Sequence, residues 1–179
     1  MRVLAAVAGI GQSDCERVVN GALAQPVLAI TSLAYVAVGV AVMCWAVRVR
    51  AVLAVGAGIV LIAVGVGSFV YHGPQPSWAG PVHDWPIVAL AAVYAVGLAR
   101  TARRRRVWLA AGAILVMALI AYAAGRSGLP LCRPDSRWQY HGAWHVLSAA
   151  AAGCAALAMG RRREGAVVTH VGADPTDVQ

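Results

Sequence analysis

Long apolar segments limit this chain more than any other feature. Each is close to the roughly 20 residues that an α-helix needs to cross a bilayer. Side chains are 60% hydrophobic and 12% charged, about half the charge of an average soluble domain. We therefore predict an all-α, polytopic transmembrane bundle of about five spans. These are residues 26–47, 51–71, 83–99, 107–124 and 140–160.

The segments divide the chain into three parts. Residues 1–24 form an outer N-terminal segment, 25–160 the helix bundle, and 161–179 a polar tail that we expect to be cytoplasmic and disordered. The apolar stretch 3–11 is too short to span, so we interpret it as an interfacial segment, with a cleaved signal as the alternative.

Arginines predict the orientation of the bundle. They cluster after the first, third and fifth spans, and the break at 73–82 has none. Cytoplasmic loops carry an excess of positive charge, so we predict an outside N-terminus and an inside C-terminus. The loop before the last span, which has three arginines, is an exception to this pattern. The net charge of +8 therefore does not indicate nucleic-acid binding. The absence of lysine and the abundance of Ala, Val and Gly suggest a bacterial cell membrane.

Three histidines are predicted to meet at the outer face. His141 and His145 lie four residues apart, hence on one face of a helix, and His72 ends the second span. The pair alone is equally compatible with anchoring at the membrane interface. Three imidazoles with a fourth open position form a catalytic zinc site, in which the metal activates water.

Two more polar residues belong to the same predicted layer. Ser68 lies one helical turn before His72, so its hydroxyl can reach a developing oxyanion, although a lone serine more often serves helix packing. Asp84 fits a general base or an acceptor that orients a histidine, or alternatively an N-cap. We interpret His83 as a loop residue and His170 as a solvated residue of the tail.

The motif Ser68-x-x-x-His72, Asp84, His141-x-x-x-His145 resembles the alkaline ceramidase family. That family belongs to the CREST superfamily of integral-membrane hydrolases, which includes the progestin and adiponectin receptors. The resemblance implies a zinc ion held by the three histidines. It also implies that Asp84 acts on the water and that Ser68 assists at the oxyanion.

The N-terminal part is similar as well. Asp14-Cys15-Glu16 resembles the acidic D-W-C-E segment of ceramidases, and the chain from Gln25 resembles their first helix. Ceramidases have seven spans and a glutamate where Gln25 stands, and the missing tryptophan gives no basis for carrying over their calcium site. An oxidising exterior permits a disulfide between Cys15 and Cys132, and the family has a similar bridge.

The sequence therefore favours a zinc-dependent membrane hydrolase that cleaves an amide bond, as in a ceramide-like N-acyl lipid, or an ester bond. Its partner is a membrane lipid that arrives from the bilayer. Three alternatives remain: a receptor-like lipid-binding protein of the same fold, a bis-histidine haem protein, and a structural protein with an unused site. A bundle of five spans is small for enclosing an acyl chain, so a homodimer is a further alternative.

Overall fold

The structure, a computed structural model, describes residues 10–160. Every regular element in that range is an α-helix, which confirms the predicted all-α class. The expected tail 161–179 and residues 1–9 of the N-terminal segment lie outside the described residues. The helices are α1 (Pro26–Arg48), α2 (Val52–His72), α3 (Ala79–Thr101), α4 (Arg105–Ala124) and α5 (Tyr140–Ala158).

Helices α1 to α4 are each long and apolar enough to cross a membrane. Large apolar side chains stand exposed along them, including Val52 and Ile120, as expected where lipid replaces water around a protein. This is a membrane protein. Helix α5 is not among those four helices, and its first turns carry histidine and serine; its crossing of the bilayer remains a prediction.

Helix α3 begins at Ala79 rather than at residue 83. Pro81 indicates a loop when read from sequence. In the first turn of a helix, however, an N–H has no partner within the helix, and proline loses nothing there. The prediction of His83 as a loop residue is therefore wrong: His83 and Asp84 both lie in α3.

The five helices form an open arc in the order α3, α2, α1, α5, α4. Helix α1 is central and packs closely on α2: a Cβ added at Gly39 would lie 2.8 Å from the carbonyl oxygen of Gly58. Small residues allow such approach between membrane helices. A buried core that includes Tyr35, Leu61 and Ala149 joins α1, α2 and α5. Helices α3 and α4 end the arc and leave a gap between them.

A cap of two segments, residues 10–25 and 125–139, covers one end of the bundle. Cys15 and Cys132 join the segments by a disulfide, and Asp14 forms an isolated antiparallel bridge with Arg126. The arginine-rich connections between α1 and α2 and between α3 and α4 lie at the opposite end of the helices.

Glu16 ties the cap to helix α1. Its two carboxylate oxygens accept hydrogen bonds from the backbone N–H groups of Val27 and Leu28, at 2.8 and 2.9 Å. A carboxylate at this position satisfies two free donors and opposes the positive end of the helix dipole. Burial raises the pKa of Glu16 although these two bonds favour its charged form.

Candidate metal centre

His72, His141 and His145 come together beneath the cap. One ring nitrogen from each lies within 4.8 Å of the others, close enough to hold a metal ion. His72 is the last residue of α2, and the other two occupy successive turns of α5. All three side chains are buried, with 1%, 7% and 1% of their surface exposed.

Gln25 determines which nitrogen of His72 carries the proton. Its amide nitrogen donates to the carbonyl oxygens of Gly11 and Glu16, at 3.0 and 2.9 Å, which fixes the orientation of the amide. Its oxygen therefore faces His72 and accepts from Nδ1 at 2.9 Å. Nε2 of His72 consequently keeps its lone pair. This atom is buried and has no hydrogen-bond partner among the described residues.

Side-chain oxygens also lie beside Nδ1 of the other two histidines. The Thr31 hydroxyl donates its one proton to the backbone carbonyl of Val27 in α1, at 2.8 Å. Its oxygen, 3.1 Å from Nδ1 of His145, can then only accept. Nδ1 of His141 lies 2.9 Å from a carboxylate oxygen of Asp14, an ion-pair distance at which the two atoms lack hydrogen-bond geometry. Nε2 is therefore the ligand atom that His72 and His145 offer.

Asp14 is buried next to this cluster. Burial alone would raise its pKa, but the contact with His141 and the positive charge of Arg126 outweigh it, so the pKa of this carboxyl lies below its ordinary value. Arg126 approaches the same oxygen at 3.2 Å. Asp14 is thus a negatively charged neighbour of His141.

These features fit a bound metal ion. Three imidazoles bring one ring nitrogen each to the same place, and an oxygen lies beside Nδ1 of each ring, a neighbour that metal-binding histidines commonly have. A buried nitrogen without a partner is costly, and a cation would satisfy it. The donor set suits zinc, which takes three histidines and one open position in catalytic sites.

Ser68 and Asp84 lie in different surroundings. Ser68 is buried on the same helix, one turn from His72. The Asp84 side chain is 75% exposed and its oxygen lies 2.7 Å from Nδ1 of His83. The ring of His83 stacks on Tyr71 and stands edge-on to His72, with centroids 6.1 Å apart. His83 therefore lies between the Asp84 carboxylate and the histidine cluster. The sequence did not suggest this position for His83.

Sequence reasoning also missed the partners behind the histidines. Asp14 and Gln25 stood out only as parts of ceramidase-like patterns, and Thr31 carried no signal. The clue for Asp14 is its neighbour: Cys15 is joined to Cys132, which brings the acidic segment beside the start of α5.

A cavity of about 930 Å³ adjoins the cluster and is lined by residues of all five helices, most of them on α3, α4 and α5. Volumes of this size hold a drug-sized ligand. Its lining includes all five residues predicted to bind metal or act in catalysis: Ser68, His72, Asp84, His141 and His145.

Comparisons of the chain with protein-family models, curated proteins and solved structures found no match. The resemblance to the alkaline ceramidases therefore stays a prediction, carried by the motif.

Proposed function

We propose that this protein is a zinc-dependent membrane hydrolase that cleaves an amide or ester bond in a lipid, with ceramide-like N-acyl lipids as the first candidates. One observation carries the proposal. Three buried histidines on two helices bring one ring nitrogen each to within 4.8 Å of the others, and Nδ1 of every ring lies within 3.1 Å of a side-chain oxygen.

His72, His141 and His145 would hold the ion. The chemistry that zinc supplies in such a site is activation of water and polarisation of the scissile carbonyl. Ser68 lines the cavity one turn from His72, where its hydroxyl can donate to the carbonyl oxygen as negative charge develops.

Asp84 and His83 would take the proton from the attacking water. The Asp84 carboxylate lies 2.7 Å from Nδ1 of His83, so it holds a proton there and leaves Nε2 as the acceptor. The carboxylate then stabilises the positive charge that forms on the ring, as in other acid–base pairs of this kind. This assigns proton transfer to the pair rather than to Asp84 alone.

The proposal includes an orientation. The cap and the three histidines would face outward, with the arginine-rich connections in the cytoplasm and α5 as a fifth span of a bacterial cell-membrane protein. The substrate would reach the site laterally from the bilayer, since the cavity adjoins the gap between α3 and α4.

Metal analysis of detergent-purified protein tests the proposal, with His145→Ala beside the control His83→Ala. We expect about one zinc ion per chain in the wild type and in the control, and its loss in His145→Ala. N-acyl and O-acyl lipids are then assayed for zinc-dependent hydrolysis. A folded wild type without zinc, or a zinc-loaded protein without turnover, would contradict a hydrolase.

The exposure of Asp84 favours one alternative, a lipid-binding protein that uses the same centre without turnover. Saturable lipid binding by zinc-loaded protein that hydrolyses neither lipid class would support it. An absorbance spectrum of the purified protein checks for haem in the same preparation.

A further inference from the structure

The deep part of the cavity is apolar. Tyr35 and Ser148, whose hydroxyl oxygens lie 2.5 Å apart, line it close to His145. Beyond them the walls consist of aliphatic and small side chains of α3, α4 and α5. Among these are Leu90, Ala111, Gly112, Leu115, Ala151 and Ala155. An occupant of this part is therefore a hydrocarbon group.

Two aromatic rings close the far end of the cavity. Trp108 of α4 and Tyr94 of α3 meet edge-on, with ring centroids 6.5 Å apart. The Trp108 indole donates to the Thr101 hydroxyl at 3.1 Å, and the Tyr94 hydroxyl donates to the carbonyl of Ala152 at 2.8 Å. Because both polar groups are bonded, the rings are held in place and present only apolar surface to the cavity.

The length of the cavity along α5 corresponds to a medium-length alkyl chain. Between His145 and Ala155, both of which line the cavity, helix α5 advances about 15 Å, at about 1.5 Å per residue. An extended polypeptide advances about 3.6 Å for its three bonds per residue, so about 12 bonds of an extended hydrocarbon fit this length.

The gap in the arc gives such a chain a way in. Helices α3 and α4 are joined by a short connection and touch at Trp108, yet they do not form an extensive packed pair. Apolar residues on both helices, such as Ile87 and Leu115, line the cavity along the gap. A lipid chain can pass between the two helices without crossing the polar cap.

We propose that the cavity holds one straight hydrocarbon chain of a membrane lipid, and that Trp108 and Tyr94 set the longest chain it accepts. The inference rests on the proposed function in placing the polar end of the lipid at the histidines. A chain longer than about 12 bonds has to bend or leave its end outside. A shorter one leaves a void whose lining loses contacts.

Competitive retention tests this directly. Protein in nanodiscs is incubated with an equimolar mixture of straight-chain saturated fatty acids, re-isolated, and extracted for mass spectrometry. We expect the retained acids to be enriched severalfold around about 12 carbons. Trp108→Ala should shift the enrichment to longer chains. Trp85→Ala, which alters an exposed tryptophan of α3 that does not line this cavity, should leave it unchanged.

A second variant should shift the preferred chain length in the opposite direction. It also keeps the inference testable if Trp108→Ala does not fold. Gly112 lines the cavity one turn from Trp108, and a Cβ there meets nothing within 4 Å. Gly112→Leu should therefore fill the cavity and favour shorter chains. An unselective retained mixture, or the same optimum in wild type, Trp108→Ala and Gly112→Leu, would overturn the inference.

Repeating the measurement on chelator-stripped protein separates this inference from the proposed function. A length preference that survives without zinc supports the chain pocket even if the protein proves to have no hydrolase activity. Zinc-dependent hydrolysis without a length preference supports the hydrolase and rejects the pocket.

Discussion

The side-chain oxygen of Gln25 lies 2.9 Å from Nδ1 of His72, while its amide nitrogen donates to the carbonyls of Gly11 and Glu16. One residue thus connects the cap, the first helix and one ring of the histidine cluster. Since an amide that donates on one side must accept on the other, the cap itself specifies the tautomer of His72.

Gln25→Leu should weaken zinc binding while keeping most of the side-chain volume. It removes the acceptor behind His72 and leaves two carbonyls without their donor. Loss of such a partner costs about 10–100-fold in metal affinity. Competition with a zinc chelator measures the effect, and Gln12→Leu, at an exposed cap position, is the control. Equal affinity in both variants would contradict this role of Gln25.

Asp14→Asn tests the charge behind His141. The substitution keeps the shape of the side chain and an oxygen that can accept, but it removes the negative charge next to the ring. We expect zinc affinity to fall about 10-fold, the lower end of such effects. Asp135→Asn is the matched control, because Asp135 forms an exposed ion pair with Arg17, and such pairs contribute little. A similar loss in the control would refute the special role of Asp14.

Helix periodicity explains what sequence reading recovered of the site. Ser68 and His72, like His141 and His145, stand four residues apart, so each pair shares one face of its helix. The apolar segment lengths predicted the helices, and only the start of α3 moved by as much as four residues.

The side chains that contact the histidine rings could not be predicted from the sequence, for a different reason. Asp14, Gln25 and Thr31 contact three histidines that lie between 47 and 127 positions away along the chain. The docking of the cap brings Asp14 and Gln25 to their rings, and the packing of α1 on α5 brings Thr31 to His145. Likewise, the helical placement of His83 and Asp84 follows from α3 beginning at Ala79, which leaves Pro81 in the first turn, where a helix tolerates proline.

The disulfide should support both the fold and the metal centre. Cys15 and Cys132 are 117 residues apart, and closing a loop of this size restricts the unfolded chain strongly. Serine at both positions should cost about 2–5 kcal/mol of stability, read as a lower thermal midpoint. Zinc affinity should fall too, since Asp14 adjoins Cys15. Cys44→Ser, at a free exposed thiol, should change neither; unaltered zinc binding in the disulfide variant would separate the cap from the centre.

Asp84→Asn should separate chemistry from metal binding. Asp84 lies outside the histidine cluster and contacts His83, so the variant should retain zinc at the wild-type stoichiometry. Hydrolysis should fall about 100- to 10,000-fold, the usual contribution of a positioned acid–base group. His83→Ala should behave alike, and the double variant should be no slower than either single one. Loss of zinc from Asp84→Asn would instead make Asp84 part of the metal centre.

Gly67→Ala should loosen the contact between α2 and α3. Pro86 has no N–H to offer the carbonyl of Val82, four residues earlier in α3. That carbonyl lies against Gly67, where an added Cβ would clash with its oxygen. We expect destabilisation by about 1–3 kcal/mol, the usual cost of overpacking, measured as thermal unfolding in detergent. Gly56→Ala on the same helix is the control. Its Cβ meets nothing within 4 Å, so the higher helix propensity of alanine should leave stability unchanged or raise it by up to about 1 kcal/mol. Equal behaviour of the two variants would show that Gly67 is not needed for the close approach of α3 beside Ser68.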